Sequence, residues 1–306
     1  MRIARPSARP LLSLVILAFA AVATVGCGGR ATLTTEVPPA AGLPKPPPAG
    51  AVVTAKQSGE LAVALAAAPV QDSRMGLTAT VLGPKGTIDG LHVSFVTSAQ
   101  TVAAQPCGSG CYSAAVGRAR AVTVRLAGRA RGSATFEVPR LPAPAAAALV
   151  RRATAIYDRL RSVMYVERLS SGPGSRVISR WKQVAPNRFE YRIRGGPAGI
   201  LIGATRWDRP SAKARWIRSE TQALRVPTPI WAGGVTNAHL IRTEKRGGRT
   251  IDVVSLFNRQ IPAWFTIRFD RRTLHPVTLD MVAASHFMHH DYESFNRPLK
   301  VVPPAR

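Results

Sequence analysis

The stretch PAWFTIRFDRRTLHPVTLDMVAASHFMHHDYESF, residues 262–295, decides the fold that the sequence predicts. It divides into AWFTIRFD, PVTLDMVAA and SHFMHHDYESF, and each segment alternates between two sets of side chains. In the last segment His286, Met288 and His290 share one side of an extended chain, opposite His289. A period of two is typical of β-strands, whose successive side chains point to opposite faces. The stretch therefore predicts three consecutive strands of an antiparallel sheet.

The preceding residues add one helix and further strands to this predicted sheet. The segment RLPAPAAAALVRRATAIYDRLRSV, residues 140–163, has the apolar spacing of an amphipathic helix at Leu149, Ala153, Ile156, Leu160 and Val163. Alternating segments such as RVISRWKQV and RFEYRI follow, and Gly172-Pro173-Gly174 predicts a hairpin turn. We therefore predict an α+β domain at residues 144–303, in which one helix packs on a large, curved antiparallel sheet.

A separate, smaller domain is predicted at residues 60–139. Short alternating segments separated by turns fill this part of the chain, and in one of them Leu91, Val93 and Phe95 lie opposite His92 and Ser94. Five to seven short strands without a helix are typical of an immunoglobulin-like β-sandwich, which is the predicted fold of this domain.

The N-terminus has the composition of an export signal. Arg2, Arg5 and Arg9 precede an apolar run at residues 11–25, which predicts a signal peptide at residues 1–26. Cys27 follows a small residue, as in the bacterial lipoprotein box, and this resemblance implies that Cys27 is lipidated after cleavage. The alternative is a plain secretory signal or an uncleaved membrane anchor. The Pro- and Ala-rich residues 27–59 predict an extended tether to the folded domains.

Composition and missing motifs exclude several classes of function. The chain has 42 Lys and Arg residues against 16 Asp and Glu, and the net charge of +26 favours anionic partners. The arginines are spread singly along the predicted strands, as at Arg188, Arg192 and Arg194, so we predict no nucleic-acid partner. Nucleophile-elbow, zinc-helix, phosphate-loop and dinucleotide motifs are missing from the sequence, so no enzyme is predicted.

The segment CGSGC contains the two cysteines that remain if Cys27 carries lipid. In an oxidising compartment Cys107 and Cys111 predict a tight structural disulfide. The alternative is a thiol pair that binds copper or exchanges disulfides.

The histidine-rich strand offers a candidate metal site. His286, Met288, His289 and His290 carry imidazole and thioether groups, which suit copper better than a hard cation. Alternation along a terminal strand produces the same pattern without any metal, so both interpretations stay open at this point.

The second predicted domain resembles the half-barrel of the LolA-like and LppX-like lipoprotein carriers. The resemblance rests on short elements in the order of that family, namely Pro186, Arg188 and Phe189, then Trp207 and Asp208, then Asp270, Thr273, Leu274 and Pro276. It implies an apolar cavity between the helix and the sheet that can hold an acyl chain or lipid. The candidate lining residues, which in the alternative fill a closed core, are Trp181, Phe189, Tyr191, Trp207, Trp216, Phe265 and Phe269.

The first predicted domain is similar to the YtkA-like sandwiches that accompany CopD-type copper-transport membrane proteins. GLTATVLGPKGTIDGLHVSFV and PCGSGCYSA, residues 76–96 and 106–114, carry this similarity. It implies copper as a ligand and a copper-transport membrane protein as a partner.

Together these features predict a non-enzymatic envelope lipoprotein, exported and anchored to the outer face of the bacterial cell membrane. Its predicted ligand is apolar or lipid-like, with an accessory role in copper transport or resistance. A copper-binding chaperone or sensor that uses the His/Met cluster is one alternative. A structural envelope module, whose charge docks it to anionic polymers, is the other.

Overall fold

The computed structural model describes residues 43–71 and 73–305, which belong to one compact unit. The signal peptide, Cys27 and the first half of the predicted tether, up to residue 42, lie outside the described residues. The first strands are β1 (Val52–Ser58), β2 (Leu61–Pro69), β3 (Arg74–Gly83), β4 (Gly86–Thr87), β5 (His92–Val96), β6 (Thr101–Ala103), β7 (Gln105–Gly108), β8 (Cys111–Gly117), β9 (Ala121–Ala127) and β10 (Gly132–Glu137). The later elements are helix α1 (Ala147–Tyr157) and strands β11 (Ser162–Gly172), β12 (Ser175–Val184), β13 (Arg188–Ile193), β14 (Ala198–Ile202), β15 (Thr205–Arg209), β16 (Ile217–Glu220), β17 (Val235–Arg246), β18 (Arg249–Asn258), β19 (Ala263–Asp270), β20 (Pro276–Ala283) and β21 (His286–Phe295).

The predicted α+β class is wrong, because the described residues are almost entirely β-structure. They contain 21 strands and a single helix of 11 residues. A helix of that length extends about 16 Å, which covers only part of an 11-stranded sheet. Most of the packing is therefore sheet against sheet, and the fold is all-β with one short helix.

Strands β1–β10 form a two-sheet β-sandwich. One sheet has the order β1-β2-β3-β8-β7, with β4 beside β3, and the other has the order β10-β9-β5-β6. Both sheets contribute to the core between them, for example through Leu65, Val81, Phe95 and Phe136. Strand β1 pairs along its whole length with β2. The sandwich therefore begins inside residues 27–59, which the sequence assigned to the tether.

Strands β11–β21 form one antiparallel sheet of eleven strands, in the order β16-β15-β14-β13-β12-β11-β21-β20-β19-β18-β17. The three strands predicted from residues 262–295 are β19, β20 and β21, which pair consecutively. Strand β21 also pairs with β11, so the last strand of the chain lies in the middle of the sheet. This return brings β11 and β21 side by side although they are more than a hundred residues apart.

Helix α1 packs on one face of the large sheet, which we name the helix face. Its buried residues Val150, Ala153 and Tyr157 join a cluster that includes Phe265 and Phe269. The helix is shorter than the apolar pattern predicted, because residues from Ser162 onward pair with β12 and β21. The segment between β16 and β17 completes this cluster with Trp231, whose indole N–H donates to Thr154 Oγ1 at 3.1 Å.

The opposite face of the large sheet, which we name the sandwich face, packs against β1 and β2. Ala62 and Ala64 of β2 share a buried cluster with Trp264, Val282 and Phe287 of the large sheet. Small side chains on one sheet thus accommodate large ones on the other, as close packing requires. The sandwich and the large sheet are joined through this apolar interface.

Candidate functional site

Strand β21 carries the predicted metal ligands to opposite faces of the large sheet. Met288 joins the core on the helix face, and His290 lies on the same face by alternation. Phe287 joins the interface on the sandwich face, and His289 shares that face. The sheet therefore separates His289 from Met288 and His290, so the four residues do not form one metal site, and the copper interpretation is not supported. Among residues 43–71 and 73–305, no group of three or more His, Cys, Asp or Glu side chains is arranged to hold a metal ion.

On the helix face His290 forms a buried pair with Glu167. His290 is 2% exposed, and its Nε2 lies 2.9 Å from Glu167 Oε2. Glu167 Oε1 also accepts hydrogen bonds from Ser179 Oγ at 3.0 Å and from the Trp181 indole N–H at 3.4 Å. Burial raises the pKa of Glu167, but the hydrogen bonds from His290, Ser179 and Trp181 outweigh it and hold the pKa below its ordinary value. The carboxylate is therefore ionised and stabilised by several donors.

The second ring nitrogen of His290 is not satisfied. His290 Nδ1 is buried and finds no hydrogen-bond partner among the described residues. A buried polar atom without a partner costs free energy, and most such atoms in folded proteins are paired. Nδ1 is thus an unsatisfied polar atom inside the helix face, with no surface open to solvent.

Aromatic rings extend from this pair across the neighbouring strands. Tyr165 stacks on His290 with ring centroids 4.4 Å apart, and Trp181 lies parallel to Tyr165 at 6.1 Å. Tyr191 continues the series 5.0 Å from Trp181, and Phe189 lies 6.1 Å from the same indole. We name these five residues the aromatic row. Trp181 and Phe189 are partly exposed, so the row reaches from the buried interior to the surface.

The other predicted cavity residues lie elsewhere. Phe265 and Phe269 are fully buried in the cluster with α1, where they fill a core. Trp207 pairs with Ile200 and so lies on the face opposite Tyr191 and its partner Gly199. Trp216 lies before β16, under the Arg209 guanidinium at 4.9 Å. Of the seven candidates, Trp181, Phe189 and Tyr191 are the three that the fold brings together at a partly exposed surface.

A cleft lies on the sandwich face, and sequence reasoning missed it. It has a volume of about 880 Å³ and lies between β1 and β10 of the sandwich, the hairpin of β11 and β12, and strands β17–β21. Its basic lining residues are Lys56, Arg168, Arg176, Arg242 and Arg268. No local signal could have found the cleft, because its walls come from four separate parts of the chain.

His289 lines this cleft and is held by two carboxylates. Its Nδ1 lies 2.6 Å from Asp280 Oδ1, and its Nε2 lies 3.2 Å from Asp291 Oδ1. The hydrogen bond to Asp280 is the main cause that raises the pKa of His289, and Asp291 adds to it. Asp291 also pairs with Arg168. His289 therefore belongs to a network of surface ion pairs.

Cys107 and Cys111 form a disulfide, as the sequence predicted. The bond links β7 and β8 at their turn, where Gly108 pairs with Cys111. Within the part of the chain that the structure describes, no helix has the length and hydropathy needed to cross a bilayer.

No family model and no curated protein match this chain. Several solved structures are similar to it, among them LppX, LprF and a LolA superfamily protein. LppX, a lipoprotein of Mycobacterium tuberculosis, is 15% identical over 51% of this chain and 97% of its own, with a TM-score of 0.39. LprF of Mycobacterium bovis is 11% identical over 54% of this chain and 100% of its own, with a TM-score of 0.38. A LolA superfamily protein of Nitrosomonas europaea is 12% identical over 49% of this chain and 94% of its own, with a TM-score of 0.23.

These structures belong to the LppX-like and LolA-like groups that the sequence resemblance named. The similarity to YtkA-like sandwiches and CopD-type proteins is not confirmed by them.

Proposed function

We propose that the protein is an exported, non-enzymatic lipoprotein that binds an apolar or lipid-like ligand at the aromatic row on the helix face. Lipidation of Cys27 would tether it to the outer face of the cell membrane. The observation that carries the binding proposal is the partial exposure of Trp181 and Phe189 at the end of a series of neighbouring rings that begins in the core.

The row differs from the rest of the helix face in what covers it. Phe265 and Phe269 are covered by α1 and Trp231, so that half of the face has no room for a ligand. Trp181 and Phe189 keep part of their ring surface open to solvent. Covering open aromatic surface with an apolar ligand is favourable by roughly 25 cal/mol for each Å² removed from water.

The polar atoms beside the row favour binding over catalysis. Glu167 accepts hydrogen bonds from three neighbours and has a lowered pKa, which makes it a weak base. His290 is 2% exposed, and its unpartnered Nδ1 has no surface open to solvent, so this ring is not placed to exchange a proton with a substrate. An apolar wall with one or two polar positions is the usual composition of a site for a small apolar molecule.

The binding proposal is tested with the neutral apolar dye N-phenyl-1-naphthylamine and the mature protein. We expect the dye to bind, and we expect Trp181→Ala to raise its Kd about tenfold, which is about 1.4 kcal/mol. Trp207→Ala removes a tryptophan from the opposite face and is the matched control, with a Kd within twofold of the parent. No dye binding, or equal effects of the two substitutions, would contradict the proposal, and thermal unfolding checks that both variants fold.

The lipid anchor at Cys27 is tested separately by mass spectrometry of the protein purified from its native membrane. A mature N-terminus at Cys27 carrying acyl chains supports it. Retention of residues 1–26, or a cleaved and unmodified Cys27, contradicts the lipid anchor and leaves the binding proposal unaffected.

A further inference from the structure

We propose that the cleft on the sandwich face is a second binding site, which takes an anionic amphiphile, meaning an apolar body with one anionic head group. The volume of about 880 Å³ falls in the range of about 300 to 1,000 Å³ that is usual for sites of small organic ligands. This site is separate from the aromatic row, because the two lie on opposite faces of the large sheet.

The charges around the cleft are unequally neutralised. Arg168 pairs with Asp291, and Arg268 with Asp280 at 3.2 Å and with Glu244 at 3.4 Å. Arg242 lies 3.1 Å from Glu244 and 3.7 Å from Glu137, an exposed carboxylate that also lines the cleft. These three arginines are therefore held in position by carboxylates and carry little net charge as a group.

Two basic side chains on different walls have no carboxylate partner. Arg176, on the hairpin of the large sheet, forms no ion pair within residues 43–71 and 73–305 and is exposed. Lys56, on β1 of the sandwich, donates to the Thr135 carbonyl at 2.5 Å and is also exposed. Both therefore keep their charge available, and a single anionic group bound in the cleft would be attracted from both sides.

The wall of the cleft between these charges is apolar. Ala55 from the sandwich and Pro173 and Ile241 from the large sheet line the cleft, and all three keep part of their surface exposed. An inorganic anion would leave this apolar surface unused, and a neutral apolar molecule would leave Lys56 and Arg176 unused. An anionic amphiphile satisfies both parts of the lining.

The test uses the fluorescent anion 1-anilinonaphthalene-8-sulfonate and the full mature protein. We expect the double substitution Lys56→Gln/Arg176→Gln to raise the Kd of the dye about tenfold. Arg151→Gln/Arg152→Gln removes the same charge from exposed positions of α1 and is the matched control, expected to stay within twofold. Trp181→Ala is expected to leave this Kd within twofold, which separates the cleft from the aromatic row.

Competition identifies the ligand chemistry. We expect decanoate to displace the dye, whereas inorganic phosphate and the neutral amphiphile octyl glucoside at the same concentration do not. Displacement by phosphate would show a site for the anion alone, and displacement by octyl glucoside would show a site without charge selection. Either result overturns the proposal, as does an unchanged Kd in the Lys56/Arg176 variant or a tenfold loss in Trp181→Ala. All substituted residues in the double variants are exposed, so folding is not at risk.

Discussion

The two faces of strand β21 place the same residue type in opposite surroundings. His290 on the helix face is buried against Glu167, with one ring nitrogen unpartnered. His289 on the sandwich face is about a third exposed and lies between Asp280 and Asp291. Adjacent histidines thus differ because alternation along a strand sends them to different environments. The difference indicates that sequence clustering alone does not define a metal site.

Substitutions at the two histidines should therefore differ in their effect on the free energy of unfolding. The hydrogen-bond partner of a buried carboxylate is costly to remove, because the carboxylate is then left buried and uncompensated. An exposed pair is screened by water and contributes little. Substitutions on the two faces should therefore change the free energy of unfolding by different amounts. Substitution of a buried apolar residue of β21 should change it most.

The largest expected effect comes from Phe287→Ala. Phe287 is 6% exposed and fills the interface between the large sheet and the sandwich. Loss of its ring should lower the free energy of unfolding by about 4 kcal/mol, as measured by urea denaturation. Val302→Ala, at an exposed side chain, is the control and should change it by less than about 0.5 kcal/mol. A loss below about 1 kcal/mol for Phe287→Ala would mean that the interface is not tightly packed.

A smaller loss is expected for His290→Leu. The substitution leaves the Glu167 carboxylate buried without its nearest partner, and we expect a loss of about 3 kcal/mol in the same measurement. Glu167→Gln/His290→Leu removes the charge as well and should recover part of that loss. If the double variant is no more stable than the single one, the pair does not carry the effect.

Local structure was largely predictable from the sequence, because its signals are local. The turn Gly172-Pro173-Gly174 does join two paired strands. Strand β11 ends at Gly172, and strand β12 begins at Ser175. The helix was predicted in the correct place but too long. Val163 fits the helical spacing, yet it pairs with Gln183 and Phe295 in the sheet. Tertiary pairing overrides periodicity at such a boundary.

Packing between distant segments was not predictable in the same way. Glu167 and His290 are 123 residues apart in sequence, and only the return of β21 to β11 brings them together. One missed signal was available in β2, LAVALAAAP, which is apolar on both faces. Such a strand is buried on both sides. This pattern could have predicted that a second layer covers the sandwich, and with it the all-β fold.

The smallest effect, and the sharpest test of the comparison, is the pH dependence of His289→Gln. The pKa of His289 is raised from 6.5, mainly by its hydrogen bond to Asp280. Because the folded state binds the proton more tightly, this stabilisation is fully present below about pH 6.5 and is lost as the pH rises through the folded pKa. Because the His289 side chain is about a third exposed, this stabilisation should stay under about 1 kcal/mol. We therefore expect the difference in unfolding free energy between the parent and His289→Gln to be larger at pH 5.5 than at pH 8.5. An equal difference at both pH values would mean that the ion pairs of the sandwich face do not stabilise the fold, and that the contrast between the two histidines lies in burial alone.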